Sequence, residues 1–285
     1  MAATDDVTLA CPLCSGNRAS PMFEAGGHRY WKCAACALVF ARGHTNANFR
    51  KYIDDYEPAY RQYLDEGPLD ALNLDAVIAW IESHVSLRDS AIRVLDVGAG
   101  SGKLVRGLRR VRPCGVIGIE PSIALFKTYN LASLGIEAIT LPELALRQTA
   151  TYDVVTVFDV IEHVPEAAEF VNALSRVTRP GSFVFLSTPD SQGLLPRLLG
   201  RCWHHYNAYH FSLYGSQAIA EAARLGGFQI VSSGHRSKRM SLDYLWRRAM
   251  DFQLAGRSKS GAHHPSRFSI PVNLGDILSV VWQRS

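Results

Sequence analysis

The stretch VLDVGAGSGKL, Val94 to Leu104, decides the fold. A short apolar run enters a turn with glycine at every second position and leaves through residues that favour a helix. That order reads as buried strand, tight turn, helix, and turns of this kind hold nucleotides. Outward from it, apolar runs alternate with helical patterns. The expected strands are 92–97, 115–120, 136–140, 153–158 and 182–187; the expected helices are 102–111, 122–134 and 166–177. VVTVF and FVFLS are unbroken apolar runs, the mark of a parallel sheet buried on both faces. TRPGS, Thr178 to Ser182, reads as the turn that delivers the fifth strand. GSQAIAEAARLGGF reads as a helix stopped by Gly226 and Gly227, followed by FQIVSSG and ILSVVWQ as two last strands. A basic helix near 240–254 and a polar loop, AGRSKSGAHHPSR, are expected between them. Upstream, Leu74, Val77, Ile78, Ile81 and Val85 recur at helical spacing, so 69–85 is an amphipathic helix. The fold class is α/β.

The glycines discriminate between ligands. Gly98, Gly100 and Gly102 follow G-x-G-x-G, whereas a dinucleotide fingerprint is G-x-G-x-x-G, and Lys103 stands where its third glycine would fall. Asp96 closes the strand; it would repel a pyrophosphate and suits an amino-acid-bearing ligand. The next strand ends in VIGIEPS, where Glu120 is placed to accept both hydroxyls of a ribose. An unmodified ribose with a cationic amino-acid tail describes S-adenosylmethionine, and the same spacing disfavours a nicotinamide dehydrogenase.

VLDVGAGSGKL, VIGIEPS, TYDVVTVFDVIEHVPE and RVTRPGSFVFLSTP together resemble the successive motifs of class I S-adenosylmethionine-dependent methyltransferases. The resemblance covers roughly residues 70–285, and FDVIEHV is similar to the quinone-biosynthesis O-methyltransferase branch. It implies a Rossmann-like seven-stranded sheet, helices on both faces, with the last strand antiparallel. Carried over motif by motif, Asp96, Gly98, Ala99, Gly100 and Gly102 flank the methionine part, Glu120 and Pro121 the ribose, and Phe158 lies beside the cofactor. Many relatives place an acid after the third strand to meet the adenine. Here Leu141 stands at about that place, leaving Glu143 or backbone groups for that contact.

The front end carries CPLC and CAAC, Cys11, Cys14, Cys33 and Cys36, with 18 residues between the pairs. Two such turns complete a closed tetrahedral thiolate shell around one structural zinc. So small a unit gains its stability from the metal. Cys114 and Cys202 read as buried bystanders. A ribbon ahead of such a domain also resembles sugar and natural-product methyltransferases of bacterial biosynthetic clusters. The expected domains are a zinc ribbon over 1–45 and a cofactor-binding domain over 46–285, with a helical lid at 46–90 and substrate-side insertions at 190–270.

Methyl transfer needs the acceptor's proton removed. Asp159, Glu162 and His163 are spaced i, i+3, i+4, one face of a helical turn. That face offers His163 as a base, or a divalent metal site at Asp159, Glu162 and His163, or plain helix-start chemistry. RCWHHYNAYHFSLYG, Arg201 to Gly215, supplies a second constellation in which His210 is the other candidate base, with Tyr206 beside it. Tyr52, Tyr56 and Tyr60 form an aromatic stripe, either a lid or core packing.

The 285 residues are 47% hydrophobic and 20% charged, with a net charge of +4, ordinary for a globular protein. No run is long enough for a membrane span, and the first residues lack a secretory pattern, so a cytoplasmic placement is expected. Bases, Arg236, Lys238, Arg239, Arg247 and Arg248 among them, gather toward the C-terminus. They suit a phosphate-bearing or acidic small-molecule acceptor, or form a solvated face. Nucleic acid is disfavoured: the ribbon has a modest basic excess, and FDVIEH replaces the Pro-Pro turn used on base nitrogens. The leading expectation is an O- or C-methyltransferase on a small biosynthetic intermediate. The alternatives are an RNA base methyltransferase that grips RNA with the ribbon, and a non-catalytic partner protein that keeps the cofactor pocket.

Overall fold

The computed structural model describes residues 9–41, 53, 68–89, 91–111, 115–147, 151–241 and 269–285. Its main body is a seven-stranded sheet built around the diagnostic stretch. The central strand β4 (Val94–Val97) is fully buried and pairs in parallel with β5 (Val116–Ile119) on one side and β7 (Tyr152–Phe158) on the other. The short β6 (Ile136–Glu137) lies beyond β5, and β8 (Thr178–Pro189) lies beyond β7. The chain therefore winds outward in both directions from β4, which opens a crevice at the carboxyl ends of the strands. β13 (Ile277–Arg284) inserts antiparallel between β8 and the edge strand β10 (Phe228–His235), giving the seven-stranded mixed sheet that the resemblance implies.

Helices cover both faces. On one, α1 (Pro68–Glu82) and α2 (Lys103–Val111) bury Ile78, Ile81, Val105 and Leu108 against Val94 and Phe185. On the other, α5 (Ala167–Val177) and α7 (Ser216–Gly226) bury Phe170, Leu174 and Ile219 against Leu95, Val155 and Leu186. α3 (Ile123–Thr128) follows β5, α4 (Leu141–Arg147) follows β6, and α6 (Leu194–Leu199) follows β8. Continuous apolar strands need both layers, as their composition required.

Several local expectations change. The helix expected over 122–134 stops at Thr128, because Asn130 takes a left-handed φ of 48° and a separate 3-10 turn begins at Leu131. α4 was not foreseen. It opens on a reciprocal cap in which the Thr140 N–H donates to Glu143 Oε2 at 2.8 Å and Glu143 N–H donates to Thr140 Oγ1 at 3.4 Å. The turn at TRPGS survives as a break in register: Tyr152 faces Thr178, but Val154 faces Phe183. In place of a basic helix from 240, Lys238–Ser241 is strand β11, paired with β12 (Ser269–Val272). The rest of that span, Cys114 and the stripe of Tyr52, Tyr56 and Tyr60 lie outside the described residues. Cys202 is exposed, not buried, in a 3-10 turn after α6.

The cysteine-bearing front end is a small sheet of β1 (Ala19–Ala25), β2 (His28–Cys33) and β3 (Val39–Ala41). Its fourth strand, β9 (Ser212–Leu213), comes from far along the chain. Leu13, Trp31, Leu38 and Phe40 share one apolar cluster with α5 and the main sheet, and the Pro12 carbonyl accepts from Ala168 N–H at the start of α5 (2.9 Å).

Gly102 has φ +75°, and a Cβ there would come within 2.7 Å of Leu134 Cδ1. Gly102→Val should therefore lower stability by about 2–4 kcal/mol through strain and overpacking, read as an earlier urea midpoint. A midpoint equal to that of the wild type would show that the turn is not tightly set.

Candidate active site

A cavity of about 1210 Å3 opens at the carboxyl ends of the strands. Pockets for one drug-sized ligand run roughly 300–1,000 Å3, so this one has room for two molecules. At one end stands the glycine turn. Gly98 takes φ +70°, and a Cβ there would come within 2.5 Å of Val160 Cγ2, so only glycine lets the turn close against the segment after β7. Gly98 and Gly100 line the cavity, together with Glu120, Pro121 and Phe158. The Glu120 carboxylate accepts from Gly100 N–H and from Ser122 N–H, each at 2.8 Å. Burial lifts its pKa to about 7 against the pull of those two amides.

The other three residues expected to flank the cofactor lie behind the turn, packed in the sheet and core. Asp96 is buried at the base of the glycine turn. It lies in the sheet and accepts from Thr156 Oγ1 at 2.7 Å, and burial lifts its pKa to about 7. Ala99 is buried in the core under α1 and α2, and Gly102 faces Leu131, Leu134 and Ile136. Leu141 and Glu143 both line the cavity, but the Glu143 carboxylate is already engaged in the cap of α4.

At the other end Glu162, His163 and His210 converge, with ligand-capable atoms within 4.8 Å of one another. The expected triplet of Asp159, Glu162 and His163 does not form one helical face. Asp159 has a left-handed φ of 55° and stands outside the 3-10 turn Ile161–His163, accepting instead from Ser187 Oγ at 2.8 Å. Its place in the cluster is taken by His210, whose loop is tied to the turn by Phe211 N–H donating to the Glu162 carbonyl (2.8 Å). The His163 and His210 rings meet edge to face at 4.8 Å.

Backbone carbonyls fix both tautomers. His163 Nδ1 lies 2.8 Å from Tyr209 O, and His210 Nδ1 lies 2.8 Å from His205 O. A carbonyl only accepts, so Nδ1 carries the proton and the lone pair sits on Nε2 in each neutral ring. Burial pulls the His163 pKa down to about 4 and that of His210 well below the usual value, the latter helped by its neighbour His163. Burial, with the Asp159 charge adding to it, pushes Glu162 well up; its Oε2 accepts from Thr188 Oγ1 at 3.0 Å. Tyr206, from the same stretch as His210, faces the front end. It packs edge-on against Phe23 at 4.8 Å and Tyr30 at 5.0 Å.

The front end holds this loop from behind. Tyr30 Oη donates to Asn207 O at 3.1 Å and reaches His210 O at 3.3 Å, and His28 Nε2 lies 3.1 Å from Ala208 O. Nothing in the sequence signals this contact, since a tyrosine in a hairpin gives no sign of the loop it will meet. In the ribbon, Cys11 and Cys36 Sγ are 3.6 Å apart, as are those of Cys14 and Cys33, and all four lie within 4.8 Å. Tetrahedral zinc with Zn–S of ~2.3 Å sets its sulfurs ~3.8 Å apart, so the four cysteines fit that ion. The proton shared with Cys36 pulls the Cys11 thiol to about 5, while Cys36 and Cys14 are pushed up.

Residues 71–233 match the family described as methyltransferase domain. The ubiquinone biosynthesis O-methyltransferase of Burkholderia multivorans is 36% identical over 160 residues, which cover 54% of this chain and 62% of that protein. Its counterpart in Leptothrix cholodnii is 39% identical over 116 residues, covering 38% and 48%. The chain thus spans less than two thirds of the curated relatives it matches. Among solved structures, the magnesium protoporphyrin IX methyltransferase of Synechocystis PCC 6803 with bound SAH shares the fold at a TM-score of 0.51 and 16% identity, covering 84% of this chain and 99% of that one. The plantazolicin methyltransferase in complex with a triazolic analogue and SAH does so at 0.54 and 13%, covering 84% and 96%. A match over more than half of the chain, set on this sheet and glycine turn, carries the assignment: the chain belongs to the methyltransferase-domain family, in its class I S-adenosylmethionine-dependent form.

Proposed function

We propose that the protein transfers a methyl group from S-adenosylmethionine to an oxygen of a small acceptor. The observation that carries this reading is a single cavity with a carboxylate beside the glycine turn at one end and two neutral imidazoles at the other. When bound, S-adenosylmethionine supplies a methyl already activated by a sulfonium. Glu120 accepts the ribose hydroxyls, Gly98 and Gly100 let the backbone approach the amino-acid part, and Phe158 packs beside it. Room for two molecules lets the wall align donor and acceptor and exclude water.

His163 and His210 present Nε2 lone pairs and take the acceptor's proton. Their low pKa keeps both in the accepting form at neutral pH. Similarity to a protein named ubiquinone biosynthesis O-methyltransferase, 36% identical over 160 residues, supports oxygen as the atom methylated. A second reading keeps the reaction and changes the activator: Glu162, His163 and His210 would hold a divalent cation, which would supply the charge that ionises an acceptor hydroxyl. Two Nε2 lone pairs beside a carboxyl, each ring pinned at Nδ1 by a carbonyl, favour it. Residues 1–45 act as a structural zinc ribbon on Cys11, Cys14, Cys33 and Cys36, and 46–285 as the catalytic domain.

The test is calorimetry with S-adenosylhomocysteine. The wild-type chain should bind it, Glu120→Ala should weaken binding by at least about tenfold, roughly 1.4 kcal/mol, and affinity should fall as pH drops below about 7, where Glu120 takes up its proton. Binding of a nicotinamide nucleotide in preference to it would sink the reading. By NMR, neither His163 nor His210 should titrate near the usual histidine midpoint of about 6.5; the sign follows from burial, which lowers both. Normal titration of either ring would remove the neutral pair. Metal analysis should find about one zinc per chain, lost in Cys33→Ser; a metal-free wild type with a protease-resistant front end would refute the ribbon.

A further inference from the structure

The described wall of the cavity contains one arginine, Arg236, between β10 and β11. Its guanidinium lies over Trp80, 4.3 Å from the ring centroid, and its Nη2 donates to Ala76 O at 2.7 Å. Both anchors belong to α1. Asn73 of the same helix pins the following strand, donating from Nδ2 to Arg239 O at 3.0 Å and accepting from Arg239 N–H at 2.8 Å. The guanidinium is therefore placed before any ligand arrives.

Among the described residues it has no counter-charge. Arg29, Arg110, Arg179 and Arg224 each pair with an acid, and the adjacent His235 takes Asp190, but among the described residues no carboxylate forms an ion pair with Arg236. The acids that line the cavity, Glu143, Glu166, Glu169 and Asp276 among them, stand on other segments. A partly buried cation without an anion is unfavourable unless a ligand supplies one. Arginine also presents a planar fork that matches carboxylate and phosphate. Lys238 lines the same wall. Trp80 packs in turn on Phe158, ring centroids 5.9 Å apart, so the guanidinium sits one ring beyond the residue proposed to touch the cofactor.

We propose that Arg236, seated on Trp80, is the anion-binding residue of the acceptor site, so that the methyl acceptor carries a carboxylate or phosphate group. This rests on the methyl-transfer reading, whose acceptor class it narrows. The test is calorimetric titration of the S-adenosylhomocysteine-loaded protein with phenyl phosphate, benzoate and, as the neutral control, benzyl alcohol. At least one anion should bind about tenfold or more tightly than the alcohol. Arg236→Gln, which keeps a donor for Ala76 O but no charge, should abolish that preference, and Arg236→Lys should keep part of it. Phenyl phosphate ahead of benzoate identifies a phosphate ester, and the reverse identifies a carboxylic acid. Equal binding of anions and alcohol, or an anion preference untouched in Arg236→Gln, overturns the proposal. Unchanged cofactor affinity certifies each variant as folded; if Arg236→Gln fails that check, a full wild-type preference retained by Arg236→Met overturns it instead. A wild-type protein that ignores S-adenosylhomocysteine defeats the methyl-transfer reading, while anion binding that still requires Arg236 in that protein upholds the anion site.

Discussion

One carboxylate slung between two backbone amides holds the working end of this molecule together. Glu120 bridges the glycine turn and the start of α3, through Gly100 N–H and Ser122 N–H, across the gap where the sheet reverses its winding. The bridge exists only because the turn runs left-handed, which brings the Gly100 amide round to face β5. Burial makes its charge unfavourable, and Asp96 behind it, also lifted to about 7, feels the Glu120 charge as well as its own loss of water. A positive charge nearby would favour the ionised form of either group.

The far end of the cavity uses the opposite strategy. Glu162, His163 and His210 are so deeply buried that all three favour their neutral forms. Neutral groups in a low-dielectric wall respond more strongly to a nearby charge than groups in water do. Two loops from different strands meet there, and each pins the other: the turn after β7 lends a carbonyl to Phe211, and the loop after β8 lends one to His163.

Much of this was legible in the residues, and the exceptions have physical causes. Val94–Val97 and its neighbours read as buried parallel strands because apolar residues occupy both faces, a pattern a half-exposed strand cannot carry. The reversed last strand came from the resemblance, not from periodicity. The spacing of Asp159, Glu162 and His163 misled because it assumes a helix, and one left-handed residue at Asp159 breaks that assumption. His210 was singled out, but no local rule says that two distant loops will bring it to Glu162. Thr140 and Glu143 carry the signature of a helix start, and that short-range pairing engages the carboxylate that an adenine contact would need. Arg236 stood out only as one of several C-terminal bases, since its stacking on Trp80 depends on how α1 docks.

The front sheet borrows its outermost strand, Ser212–Leu213, from the chain that has just passed the buried imidazole. A module with a borrowed strand is not a detachable bead. Any lineage that lost or exchanged it would have to rebuild the segment from His204 to Leu213 at the same time, so the two stretches are bound to drift together or not at all.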